Sequence, residues 1–211
     1  MSNRQFFLLL GGMLILLSVG IALIWSISGS LENLEKATVV PLQRAEWTGA
    51  SPRITLEEAV QQAAPRALAW ADDARLVKVT ASWRPSAAGV QIETPPVAWV
   101  LLYYSPTKRA IAAAHVHGES FSWGRSRRMD VAVEALTPFP PPHGIRVAWL
   151  GFLAAGGDDF LNMHPEATVQ FSLRRKAQLS WNVLAFTPQA RFEVDVDAET
   201  GLAKMVEEED Q

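Results

Sequence analysis

Cysteine is absent from all 211 residues, which excludes disulfides, thiolate zinc sites, c-type haem attachment and Cys-ligated iron–sulfur clusters within this chain. Whatever folds must be stable through packing alone. An excess of positive charge is missing too. Lys and Arg number 19 against 22 Asp and Glu, a net charge of −3, so there is no broad cationic field for a phosphate backbone and no nucleic-acid partner is expected. The chain contains no G-x-S-x-G, H-E-x-x-H, G-x-x-x-x-G-K or G-x-G-x-x-G, which leaves nucleophile elbows, zincins and nucleotide loops without support. The string DVDAET from Asp195 fails the D-x-D-x-T pattern of phosphoryl transfer because Glu199 stands where Thr is required. These absences predict a protein that is not an enzyme and carries no cofactor.

Charge is also missing from the 22 residues Phe6–Ile27, FFLLLGGMLILLSVGIALIWSI. A helix of that length reaches about 33 Å, enough to cross a hydrocarbon core of about 30 Å. A cleaved secretory signal calls for a shorter apolar run with an A-x-A-like exit; Ser26, Ser28 and Ser30 are small, but the run is too long, and no Cys follows it to make a lipoprotein. The segment 1–28 therefore reads as a transmembrane anchor. Gly11, Gly12 and Gly20 would allow close packing against other membrane helices. Arg4 on the short side places the N-terminus in the cytoplasm and the remaining chain on the extracytoplasmic face of a single-pass cell-membrane protein, although Lys36 and Arg44 downstream weaken the charge bias.

Residues 29–53 read as a tether punctuated by Gly29, Pro41, Gly49 and Pro52, leaving about 158 residues for the folded part. Thr55-x-x-Glu58 is a capping box. Leu56, Ala59, Val60, Ala63, Ala64, Ala67 and Leu68 then form a helical stripe, in which Pro65 predicts a kink or restart. The period changes to two at Val77, Val79, Ala81 and Trp83, followed by strands over 97–104 and 110–116. Residues 120–144 read as a long connection with a short strand at 129–135 and a stiff Pro run. A second helix over 147–163, weakened by Gly156 and Gly157, and three more strands repeat the first order. The last residues, 204–211, form an acidic tail.

Laid over each other without a gap, WVLLYYSPTKRAIAAAH from Trp99 and WNVLAFTPQARFEVDVD from Trp181 match Trp99 with Trp181, Pro106 with Pro188 and Arg109 with Arg191. Shared residues at fixed offsets point to an internal repeat of units 54–119 and 145–203. The close of the second unit, RFEVDVDAETG, with its turn of Asp197, Ala198, Glu199, Thr200 and Gly201, resembles the signature that ends a PepSY domain. The first unit matches more loosely, His115-Val-His-Gly replacing the acidic turn. The resemblance implies, behind the transmembrane helix, an α+β fold of two helix-on-antiparallel-sheet (PepSY or cystatin-like) units that are non-catalytic and act by interaction.

Among chemically suggestive residues, His115 and His117 share a strand face and could form part of a weak metal site, but His143 and His164 bear no defined spacing to them. Asp195, Asp197 and Glu199 alternate as the outward face of a strand would. No metal site is expected. Of the seven Trp outside the anchor some belong to the core, and any surplus beyond it points to a partner surface. Trp123 with Arg125, Arg127 and Arg128 is the candidate contact for a partner or for lipid. The leading expectation is an accessory or stabilising subunit of a larger, electron-transfer type membrane complex, bound to integral membrane subunits and the bilayer. The alternative is a membrane-anchored PepSY-type regulator or inhibitor of an envelope protease.

Overall fold

Thr55 opens the folded chain as its motif requires. Its hydroxyl accepts from the Glu58 amide at 3.3 Å while Glu58 Oε2 accepts from the Thr55 amide at 2.8 Å, the reciprocal capping box. Helix α1, Leu56–Trp70, follows, and Pro65 sits within it without ending it. The structure, a computed structural model, describes residues 53–85, 90–92, 95–96 and 98–206. The anchor read over 1–28 with Gly11, Gly12 and Gly20, nearly all of the tether and residues 207–211 of the acidic tail lie outside the described residues. Among the described residues no helix is long and apolar enough to cross a membrane.

After α1 come β1 (Arg75–Trp83), β2 (Trp99–Ser105), β3 (Ala110–His117), β4 (Ser120–Trp123) and β5 (Arg127–Arg128). Helix α2 (Ile145–Phe152), a π-helical turn (Leu153–Gly157) and α3 (Asp158–Met163) form one bent rod, followed by β6 (Thr168–Arg175), β7 (Leu179–Phe186), β8 (Arg191–Asp197) and β9 (Ala203–Met205). The strands make one antiparallel sheet in the order β4-β3-β2-β1-β6-β7-β8-β9, with β5 also on β3. The fold is α+β, two helical rods on a large antiparallel sheet. Its two halves meet where β1 pairs with β6, from Lys78 opposite Arg174 to Trp83 opposite Val169.

The main core lies between helices and sheet. Ala59, Ala63 and Ala67 of α1, and Ala148 and Phe152 of α2, meet alternate strand residues including Val79, Trp99, Leu101, Phe171, Trp181, Val183 and Val194. Each half ties its helix down with a buried Trp. Trp99 Nε1 donates to the Ile54 carbonyl at 2.9 Å and Trp181 Nε1 to the His143 carbonyl at 2.8 Å, in both cases the residue just before the helix N-cap. Both indoles are 1% exposed, so an unmet N–H would be costly, and the bond fixes where each helix begins.

Three local features depart from simple periodicity. A bulge between Leu76 and Lys78 sends Val77 to the face opposite Leu76 and Val79, where strict alternation would keep Val77 with Val79. Residues 120–128, read from the sequence as connection, instead supply β4 and β5, and no strand runs over 129–135. The second helix bends at Gly156, which takes φ +106°, and the Phe152 ring packs directly on Gly157, where a Cβ would sit 2.2 Å from its Cε1.

On the helix-free face, Val77, Leu102, Tyr104 and Ile111 form a second apolar cluster covered by Met129 and Val133 of the connection. The connection then rounds the end of the sheet: the Leu136 amide donates to the Leu76 carbonyl at 2.8 Å, and Leu136 is buried in the main core.

Candidate interaction surface

The helix-free face of the second half is polar. Strand pairing sets one row of side chains directly across the sheet: Ser122, His115, Val100, Thr80, Ser172, Asn182, Asp195 and Lys204. At its centre, where the halves meet, the Thr80 and Ser172 hydroxyls lie 3.2 Å apart in a hydrogen bond. Towards β8 the row becomes an ionic lattice. Arg174 donates to Asp195 Oδ1 at 3.1 Å and stands 3.7 Å from Glu193 Oε1, while Asn182 Nδ2 donates to Glu193 Oε1 at 2.6 Å and to Asp195 Oδ1 at 2.8 Å. The Arg174 side chain is 14% exposed and that of Glu193 18%, so these are ordered groups in reduced dielectric rather than mobile surface charges. Arg174, Asn182, Glu193 and Asp195 thereby hold one another in a fixed arrangement.

The carboxylates that alternate along the chain end go to different tasks. Asp195 joins the lattice, Glu199 reaches Arg175 at 3.7 Å, and Asp197 Oδ1 accepts from the amides of Glu199 and Thr200 at 2.7 and 2.8 Å. That turn holds the Asp197 carboxyl below its ordinary value, the Thr200 amide being the main cause. His115 and His117 do share the helix-free face, as their spacing predicts, opposite Ser122 and Ser120. Burial pushes the His115 imidazole towards its neutral form. His143 lends its carbonyl to Trp181, and His164 packs on Phe160 with Glu166 at 3.9 Å. Among the described residues no three His, Asp or Glu converge as metal ligands would.

The predicted contact residues divide. Trp123 is half-buried, with ring centroids 5.8 Å from Trp70, 5.8 Å from Tyr103 and 6.3 Å from Phe121, so it belongs to the rim of the core. Arg125, Arg127 and Arg128 are exposed along the sheet edge, β5 pairing Arg128 with Ala110 and Arg127 with Ile111. Pairing thereby brings them beside Lys108 and Arg109 in the β2–β3 hairpin, which sequence reading did not connect to them. The ionic lattice was also missed, although polar residues at alternate positions in TVQFSLRR and LSWNVLAF signal a second, polar sheet face.

No protein-family model matches the chain, and no curated protein matches it. Among solved structures, the chain is similar to one from Clostridium difficile 630 described as a "putative lipoprotein", with a TM-score of 0.42 and 9% identity over 71% of this chain and 90% of that one.

Proposed function

We propose that this protein is a single-pass membrane protein whose extracytoplasmic part is a tandem of two PepSY-like units serving as a non-catalytic docking subunit of a larger membrane complex. The observation that carries the reading is the helix-free polar face of the second half, whose Arg174–Asp195–Asn182–Glu193 lattice is ordered and largely desolvated, with Asp195 the most accessible member. Such a surface is preorganised for a complementary polar partner surface and loses little freedom on binding. The tandem character is supported by the matching Trp latches and by two equivalent hairpin bonds, Lys108 amide to Ser105 Oγ at 3.1 Å and Ala190 amide to Thr187 Oγ1 at 3.0 Å. Membrane attachment rests on the uncharged run Phe6–Ile27, with Gly11, Gly12 and Gly20 available for packing against partner helices.

Purification of the full chain from solubilised membranes through a C-terminal tag tests this. Partners recovered at fixed, near-equal stoichiometry, and lost from an Asn182→Arg variant that still folds, are the expected result. Recovery of the chain alone, or with a substoichiometric protease, would overturn it, the latter in favour of a regulator.

A further inference from the structure

We propose that the end of the first half carrying the β2–β3 hairpin and β5 is a docking surface for the headgroups of an anionic bilayer. Five exposed cations meet there from two separate stretches of sequence: Lys108 and Arg109 at the hairpin tip, and Arg125, Arg127 and Arg128 on the adjoining edge. The Met129 amide bonds the Arg109 carbonyl at 2.8 Å and the Gly124 amide bonds the Ala113 carbonyl at 2.7 Å, so both ends of the arginine stretch are pinned to β3. The tip is equally fixed. Asp73 accepts from Ser105 Oγ at 2.6 Å and from the Thr107 amide at 2.7 Å, and Lys108 Nζ lies 5.6 Å from the centre of the Trp70 ring. The acidic groups nearby are Asp72, the engaged Asp73, and Asp130, which pairs with Arg128 at 3.2 Å in an exposed and therefore weak ion pair.

The corresponding end of the second half carries less of this charge. Its hairpin tip, between Thr187 and Ala190, holds Pro188 and Gln189, Arg191 follows at the start of β8, and the edge strand β9 carries Lys204 ahead of the acidic residues 207–210. Residues 53–144 contain ten Lys and Arg against eight Asp and Glu, whereas 145–211 contain six against eleven. An anionic plane therefore attracts one end of the molecule and repels the rest, which orients it. Several exposed cations spread over a tip and an edge, without a concave site, suit a diffuse layer of headgroups better than one acidic side chain of a protein. Reach is sufficient: the 25 residues between Ile27 and Arg53 can extend about 85 Å, while β2, which separates the Ile54 end of the sheet from the hairpin tip, is about 20 Å long.

The inference rests on the membrane tether proposed above, and the experiment separates the two. Because the chain has no cysteine, Ser126→Cys gives one labelling site amid the arginines. The full-length labelled protein is mixed with vesicles of phosphatidylcholine alone or with one quarter phosphatidylglycerol, each carrying a headgroup-attached quencher. The docked-to-undocked ratio read from quenching should rise with the anionic lipid by about fivefold for each engaged cation, and that rise should fall back in 0.5 M salt and vanish in an Arg125→Glu, Arg127→Glu, Arg128→Glu variant. Equal quenching in both vesicles, or a response that requires added membrane protein, overturns the lipid assignment. Failure to co-float with neutral vesicles while the label still responds to anionic ones would sink the tether and leave the docking surface standing.

Discussion

The two halves solve one packing problem with opposite allocations of bulk. In the first, Tyr103 on β2 lies opposite Ala112 on β3, and in the second, Ala185 on β7 lies opposite Phe192 on β8. The large ring stands one strand further from the seam in the second half, and the helix above it differs too. Over Tyr103 the continuous helix α1 presents Ala59, Ala63 and Ala67. Over Phe192 the rod bends at Gly156, and Phe152 and Phe160 close on the ring with centroids 5.6 and 5.8 Å away. Summed volume is conserved across a paired position while helix geometry adjusts, as close-packed interiors demand. What stays fixed in both halves is the Trp latch, so the constant element is the helix start and the variable one its course.

That contrast can be broken most severely at its fixed point. Trp99→Ala and Trp181→Ala should each cost about 3–5 kcal/mol in denaturant unfolding, because each removes a fully buried indole and leaves a carbonyl unmet. Since β1 and β6 share one sheet, each variant should still unfold in a single transition, and separate transitions for the halves would refute that coupling. Next, Gly157→Ala should cost about 1–3 kcal/mol by pressing on Phe152, and Phe152→Leu in the same chain should recover part of it in a double-mutant cycle. The caps sharpen the comparison at smaller scale. Thr55→Ala should destabilise by about 1 kcal/mol, whereas the second rod starts at Gly144 with no side-chain cap and open space where a Cβ would go, so Gly144→Ser should stabilise by a few tenths, both read from denaturation midpoints.

The smallest effect expected is acid dependence. Hydrogen bonds from Ser105 Oγ and the Thr107 amide hold the Asp73 carboxyl down at about 2, against 3.8 ordinarily. A depressed carboxylate contributes stability above its unfolded value and loses it as pH falls through the folded one. Asp73→Asn should therefore flatten the stability profile between about pH 4 and 2, whereas Asp197→Asn should alter it in the same direction through the other half.

Much of this was legible locally. Thr55 and Glu58 announce the first helix, and the alternation in RFEVDVD announces β8, because both depend on neighbours in sequence. The hairpins of the two halves differ in length, which the ungapped overlay does not allow for. Ser105 pairs with Ala110 but the Thr187 amide bonds the Ala190 carbonyl, so the first hairpin is two residues longer and the strands after it slip. His115, opposite Val100, thus corresponds to Asp195, opposite Asn182, and not to Asp197. Residues 120–128 were obscured by Gly124 and the arginines, although Phe121 and Trp123 alternating with Ser120 and Ser122 carried the strand signal. The lattice around Arg174 needed three strands in register before it existed at all. Sequence periodicity reports the faces of one strand, not which strand lies beside it.

The seam between β1 and β6 joins residues about ninety positions apart. A chain made from its N-terminus completes the first half well before Thr168–Arg175 emerges, and until then the outer edge of β1 stands open with its amides and carbonyls unspent. The nascent molecule consequently passes through a stage in which half of it is built and one flank is adhesive, and the last strand pairing formed across the seam is the one that retires this hazard.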